Sequence, residues 1–374
     1  MIVCYFGTYR EEYSRNKIMM AALTSAGVEI KECHETLWHG FEDRAEVTVG
    51  GWRTPGFWWR VIRTYCKLIG KYLHIGDYDV MMVGYPGQVD VFLARFLTNL
   101  KRKPLVWDVF MSLYLIATER KLDKAKNSSV NLIRKIEASA LKEPDMLIQD
   151  TAEYVEWFEK NYGIAPERFR KIPTGADDRI FQPVPASKHE DGLMHVLYYG
   201  TFIPNHGVGL IIEAVEILRD EQAIVFDLIG DGPDRKASEE FVRAKGLGNV
   251  RFYNWMDQNA LLTWIGNADM CLGAFGDTPQ SLMTVQNKIY ECMAAGKAVI
   301  TGESPATRAQ FTNMQDLILC ERNPESLANA ILLLSENPEM REQIGANALL
   351  KFQSNYSLTS LGKSLLDYLS ELHA

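Results

Sequence analysis

The segment Asn287-Lys288-Ile289-Tyr290-Glu291 places a lysine and a glutamate three positions apart at the start of a helical pattern. In a helix such positions share a face, so one ligand can meet both. Lys288 has the charge to neutralise a phosphate. Glu291 has the two oxygens to accept hydrogen bonds from a pair of ribose hydroxyls. Ahead of it runs the loop Phe275-Gly276-Asp277-Thr278-Pro279, where Asp277 and Thr278 can hold the same ligand. Two more loops share the theme. Tyr199-Gly200-Thr201-Phe202-Ile203-Pro204-Asn205-His206-Gly207 follows a strand and opens a helix, and Gly230-Asp231-Gly232-Pro233 repeats that geometry. Glycines there let backbone N–H groups approach a ligand, and a helix N-terminus favours an anion such as a diphosphate. Strands also end in glycine for turn reasons alone, so neither loop decides the matter by itself.

These loops need a scaffold, and the chain reads as alternating strands and helices. Strands are expected at Ile2–Phe6, Val28–Glu32, Val80–Gly84, Leu105–Val109 and Met146–Gln149, with helices over Arg15–Ser25, Arg60–Leu73, Val89–Leu100 and Ala152–Asn161. A second series begins at His195–Tyr199 and runs through Ile224–Ile229, Val250–Tyr253, Met270–Ala274, Ala298–Thr301 and Leu317–Leu319, closing with helices across Pro324–Leu372. This is the rhythm of parallel sheets covered by helices. The Pro- and Ser-containing stretch Phe181–Gly192 reads as a linker. The expected fold class is α/β, with two doubly wound Rossmann-like domains, 1–183 and 193–353, facing across a ligand cleft, and a terminal helix 358–372 returning to the first.

Composition narrows the function. A chain of 374 residues suits two domains, and 47% hydrophobic with 24% charged residues is ordinary for a folded protein. The six cysteines form no C-x-x-C pair and the seven histidines no H-E-x-x-H spacing, so no metal site is expected. No run approaches the roughly 18 apolar residues that span a bilayer, and Met1–Gly7 reads as a strand, not a leader. A cytoplasmic location follows as the expectation. Net charge is −8, yet basic residues slightly outnumber acidic ones through residue 180, so the surplus lies in the second half. No dense basic block with interleaved aromatics argues for nucleic acid. A dehydrogenase is disfavoured, since no G-x-G-x-x-G follows the first strand.

The succession Gly200…Gly207, Gly230-Asp231-Gly232-Pro233, Asn249-Val250-Arg251-Phe252 and Tyr290-Glu291…Gly296-Lys297-Ala298-Val299-Ile300 resembles the group 1 (family 4) retaining glycosyltransferases of GT-B fold. Lys103-Pro104-Leu105-Val106-Trp107-Asp108-Val109-Phe110 and Pro173-Thr174-Gly175-Ala176-Asp177-Asp178…Phe181-Gln182-Pro183 are similar to it as well. The resemblance implies transfer of a hexosyl-type unit from a nucleotide-diphosphate sugar, with retention and without a metal or other cofactor. The donor would sit on Gly200, Thr201, His206, Gly230, Asp277, Thr278, Asn287, Lys288 and Glu291, the last contacting ribose. Asp108 and Lys288 are the catalytic candidates, and Gly7, Thr8, Tyr9 and Ser112 would line the acceptor side. Asp108 also reads as a simple cap at a strand end, Gly7-Thr8-Tyr9 as a turn, and His206 as a helix-start residue. The chain departs from the family at four positions. Thr201 and His206 stand where the family has its diphosphate-binding arginine and lysine, Met283 where it has the first glutamate of its E-x7-E motif, and Phe110 where a histidine often follows the first-half strand. Lys288 is expected to supply the phosphate charge instead, with Trp255-Met256 read as core more than as a surface for the base.

Two rivals remain at this point: a GT-B sugar-nucleotide epimerase or hydrolase, and a silent nucleotide-sugar-binding subunit. The acceptor is left unidentified, with a glycan or a lipid-linked acceptor as the expected class. Between Trp58 and Tyr72 the apolar residues Trp58, Val61, Ile62, Tyr65, Leu68, Ile69 and Tyr72 recur at helical spacing, beside a basic stripe of Arg60, Arg63, Lys67 and Lys71. A solvated surface helix explains this. So does a peripheral contact of 52–72 with anionic lipid at the inner membrane face, in which Trp52 and Phe57 would take part.

Overall fold

The computed structural model describes residues 1–37, 54–120, 122–184 and 191–373, with backbone alone for 122–128. Two compact units emerge, Met1–Pro173 with Leu361–Ala374, and Thr174–Ser360. The first break thus falls at Pro173, ahead of the expected linker, of which 185–190 lies outside the described residues.

The first unit holds a six-stranded sheet: β1 (Ile2–Gly7), β2 (Glu29–His34), β3 (Val80–Val83), β4 (Leu105–Asp108), β5 (Met146–Gln149) and β6 (Phe169–Lys171). Their order is β2-β1-β3-β4-β5-β6, parallel throughout. The central strands are continuous apolar runs with every residue of β3, β4 and β5 buried, as a sheet covered on both faces requires. Capping defines helix starts. Thr151 accepts from Tyr154 N to open Ala152–Tyr162, which Gly163 closes at φ 65°. Two helices, Leu113–Glu119 and Leu122–Ala140, connect β4 to β5 where the apolar pattern alone gave no element. The terminal helix Leu358–Ser370 lies partly in this unit. A Cβ at Gly362 would come within 2.1 Å of the Ala22 carbonyl oxygen, so glycine permits that close packing on the Ser14–Ser25 helix.

The second unit has β7 (Met194–Tyr199), β8 (Ile224–Ile229), β9 (Val250–Tyr253), β10 (Met270–Leu272), β11 (Val299–Gly302) and β12 (Ile318–Cys320). Their order is β12-β11-β10-β7-β8-β9, again parallel. That is the dinucleotide-type winding, and its strand order reverses between β7 and β10. One apolar cluster, including Tyr198, Phe226 and Ile300, fills one side of this sheet, and a second, including Leu197, Ile289 and Phe352, fills the other.

Candidate functional site

In open parallel sheets ligands bind beyond the carboxyl ends of the strands, at the reversal of strand order. In the second unit that point is ringed by glycines. Gly200 follows β7 at φ 143° and Gly230 follows β8 at φ 133°. A Cβ on Gly230 would lie 2.0 Å from the Gly200 carbonyl, and one on Gly276 would lie 2.1 Å from the Pro204 carbonyl. The loops after β7, β8 and β10 therefore interlock backbone against backbone, which no larger residue allows.

Lys288 projects into this nest from the second position of the Asn287–Ala294 helix. It is buried, and its Nζ would be 2.7 Å from a Cβ on Gly200. Nζ makes no hydrogen bond among the described residues and lies 4.1 Å from the centre of the Tyr198 ring. Burial pulls its pKa down to about 7, against the opposing pull of Cys292 and Glu291. His206 lies on the same side of Gly200, its Nδ1 3.5 Å from where a Cβ would be. Its Nδ1 lies 2.7 Å from the Thr201 carbonyl and 3.2 Å from the Tyr198 hydroxyl. Burial, then the charge of Lys288, holds its pKa at about 3. His206 is thus neutral at pH 7, with Nδ1–H donating to Thr201. Glu291 is buried one turn along the helix, and its Oε2 accepts from the Tyr199 hydroxyl at 2.7 Å. Burial raises its pKa, while Tyr199 and Lys288 oppose the rise.

Gly200, Thr201, His206, Lys288 and Glu291 thus converge, with Gly230 packed beneath. Asn287 is half-buried at the helix start. Asp277 is exposed, and the Thr278 hydroxyl accepts from Ser281 N to cap the short Pro279–Met283 helix, which ends on Met283. Two arginines that the motifs did not single out act as struts. Arg235 donates to the carbonyls of Gly230 and Tyr253. Arg322 donates to those of Gly276, Gly302 and Glu303. Arg235 also pairs with Glu239, and Arg322 also reaches the Ser281 hydroxyl, so both are engaged, whereas Lys288 Nζ is not hydrogen-bonded among the described residues. Trp255 is 57% exposed, contrary to the expectation of core, because β9 is an edge strand and only its neighbour Met256 packs inward.

The first unit treats its charges differently. Asp108 at the end of β4 is fully buried, and both its oxygens are held by Arg15, at 2.8 and 3.0 Å. The third nitrogen of Arg15 donates to the Ile172 and Pro173 carbonyls. Phe110, at φ 54°, lays its ring against the same guanidinium. This geometry anchors strand ends and pairs the Asp108 carboxylate with a buried guanidinium on both oxygens. Ser112 caps the Leu113–Glu119 helix and donates to the buried Glu137 at 2.5 Å, so its hydroxyl is also engaged. Thr8 and Tyr9 face inward. Asp90 accepts from Thr8 N at 2.7 Å and from the Tyr65 hydroxyl at 2.6 Å, and a Cβ on Gly7 would strike it at 2.7 Å. The Tyr9 hydroxyl donates to Glu32. The carboxylate left open is Asp150, just past β5. It is buried, neither oxygen has a hydrogen-bond partner among the described residues, and burial lifts its pKa to about 7.

The helix Pro55–Tyr72 turns a narrower face inward than its periodicity suggests. Thr64, Leu68 and Tyr72 are buried, whereas Trp58, Ile62 and Ile69 are exposed. Lys67 and Lys71 of the basic stripe both reach Glu35. Trp52 lies outside the described residues.

Comparison with known proteins places this geometry. Residues 194–337 match the family model described as Glycosyl transferases group 1. The chain is 28% identical over 181 residues to alpha-D-kanosaminyltransferase of Streptomyces kanamyceticus, covering 47% of this chain and 45% of that protein. The chain thus spans about half the length of the curated relatives it matches. Among solved structures, sucrose-phosphate synthase of Thermosynechococcus elongatus superposes with a TM-score of 0.74 at 15% identity, over 100% of this chain and 99% of that one. HepE of Anabaena, in complex with UDP, superposes with 0.70 at 14% identity, over 99% of both chains.

Proposed function

We propose, from the match of residues 194–337 to the group 1 glycosyltransferase model and from the GT-B fold, that the chain moves a sugar from a nucleoside-diphosphate sugar, bound by the second unit, to a glycan or lipid-linked acceptor. The observation that carries this reading is the Lys288 ammonium, buried and without a hydrogen-bond partner, beside the Gly200 backbone where the strand order reverses. A buried cation held this way has Glu291 nearby but no hydrogen-bonded partner among the described residues, and a diphosphate supplies one. As the glycosidic bond to the donor breaks, negative charge grows on the departing diphosphate. Lys288 and the Thr201 backbone N–H stand ready to stabilise it without reorganising, the Gly200 N–H being already donated to the Ile229 carbonyl. This assigns the leaving-group charge to the protein's own groups. Glu291 has Oε2 held by Tyr199, which leaves Oε1 to accept from a ribose hydroxyl. The UDP bound by HepE suggests uridine as the first base to try.

Asp150 joins the reading on the acceptor side. Its carboxylate has no hydrogen-bond partner among the described residues, whereas Asp108 is held by Arg15 and Ser112 by Glu137. Asp150 can accept a hydrogen bond from an attacking hydroxyl provided acceptor entry exposes its buried oxygens. Retention of configuration follows the resemblance noted in the sequence. The test is a thermal-shift screen with nucleoside-diphosphate sugars, followed by product analysis with and without saccharide acceptors. A binding donor raises the melting temperature by mass action. Donor consumed only in the presence of acceptor supports transfer. Donor hydrolysed or epimerised alone overturns it.

A further inference from the structure

The Pro55–Tyr72 and Asp90–Lys101 helices lie side by side in the first unit. The Tyr65 hydroxyl reaches Asp90, and Lys101 Nζ sits 5.0 Å from the centre of the Tyr72 ring. Only Thr64, Leu68 and Tyr72 of the first helix are buried, along one line at intervals of four. The outward side should then be polar, and it is not. Trp58, Trp59, Ile62, Ile69 and Leu73 are exposed along it, Trp59 by 70%. The second helix repeats the pattern with Val89, Phe92, Phe96 and Leu100, the last two exposed by 61% and 69%. An apolar residue stands outward on nearly every turn of both helices. Isolated exposed hydrophobics need no explanation, but a contiguous set on paired helices marks a contact surface.

The charges on this face are of one sign. Arg60, Arg63, Lys67 and Lys71 belong to the first helix. In the second, Arg95 is paired with Asp145 and Lys101 lies over the Tyr72 and Tyr78 rings, and the only acidic residue of either helix is Asp90, which is buried. The protein as a whole carries −8. A stretch this free of exposed carboxylate on an acidic protein complements an anionic surface. The side chains divide as such a surface demands, with tryptophans near one end and long basic chains able to keep their heads in water while their stems lie on apolar ground.

We propose that this two-helix face seats the protein on an anionic lipid surface, with the apolar side chains entering the headgroup boundary and the basic ones meeting lipid phosphates. The proposal stands independently of the donor chemistry. It differs from a purely electrostatic contact, since Lys67 and Lys71 are already shared with Glu35 and the apolar stripes do most of the binding.

The full chain should sediment with vesicles of phosphatidylglycerol and phosphatidylcholine at low salt, and far less with phosphatidylcholine alone. Raising salt should weaken binding without abolishing it, because the apolar component is not screened. Trp59→Ser with Phe96→Ser should reduce binding on the order of tenfold or more. Leu350→Ser, at a site 62% exposed in the other unit, should leave it unchanged. Circular dichroism of each variant checks that it is folded. No sedimentation with anionic vesicles at low salt overturns the proposal. So does wild-type self-association that the Trp59 and Phe96 substitutions abolish, which would make the face a contact between two copies.

Discussion

The two sheets present the same local device and complete it in opposite ways. At the strand reversal of the first unit, Gly7 in a positive-φ conformation faces the Asp90 carboxylate, with a Cβ on Gly7 lying 2.7 Å from it. At the reversal of the second, Gly200 faces the Lys288 ammonium with the same 2.7 Å spacing. Asp90 is satisfied by Thr8 and Tyr65. Lys288 has no hydrogen bond among the described residues. Burying a charge is costly unless hydrogen bonds and a counter-charge offset it, so the first arrangement reads as a structural clamp and the second as the anion site we propose. Loop geometry alone does not distinguish them. The state of the charge does.

The contrast is sharpest in the buried pair of the first unit. Arg15→Ala leaves Asp108 buried and unpaired, and should cost about 3–5 kcal/mol in denaturant unfolding. Lys288→Met should cost little or stabilise, since it removes a buried charge without a partner. A Lys288→Met loss as large as that of Arg15→Ala would erase the distinction.

Asp150 is the exception within the first unit, and it makes a second test. Its pKa is raised to about 7, so the folded state keeps a proton that the unfolded chain releases near pH 4. Stability from this group is therefore present below the unfolded value, declines as pH rises, and is lost once pH passes 7. Asp150→Asn should accordingly stabilise at pH 8 by on the order of 2–4 kcal/mol and change little at pH 4. A gain that does not grow with pH would show that Asp150 has a partner after all.

The paired glycines give a third comparison. Gly7→Ala and Gly200→Ala each force a Cβ against a charged atom from a strained backbone, worth about 1–3 kcal/mol. Gly7→Ala should lower the melting temperature and leave UDP affinity alone. Gly200→Ala should weaken UDP by displacing Lys288. Equal effects on UDP from both would contradict the assignment of the site to the second unit.

Much of this second site was legible in the sequence because its parts are local. Gly200 to His206 and Asn287 to Glu291 are short segments whose glycines, charges and helix start can be read from spacing. The clamps of the first unit were not legible, because Arg15 meets Asp108 across 93 positions and Glu137 meets Ser112 across 25. A strand-end aspartate looks the same whether an arginine covers it or not. Arg322 escaped notice for a related reason, since its partners are mostly carbonyl oxygens that leave no trace in side-chain pattern. The i,i+4 pair of Arg235 with Glu239 gives no sign that Arg235 also grips the Gly230 and Tyr253 carbonyls. The helix at 55–72 misled in another way. Its apolar residues occupy more of the circumference than the sheet covers, and periodicity does not say which of them the neighbours will bury.

The central claim is that Lys288 is the counter-charge for a nucleoside diphosphate, and calorimetry of UDP and uridine against wild type and Lys288→Met tests it most directly. UDP binding should weaken by about 1.5–3 kcal/mol in the variant, the range for a hydrogen bond to a charged group, while uridine binding stays the same. The wild type should also take up a proton on binding UDP at pH 8, since Lys288 titrates near 7 when free and a phosphate partner raises that value. That uptake appears as an enthalpy that varies with the ionisation enthalpy of the buffer, and it should vanish in the variant. Unaltered UDP affinity in Lys288→Met, with no buffer dependence in either protein, would contradict the account.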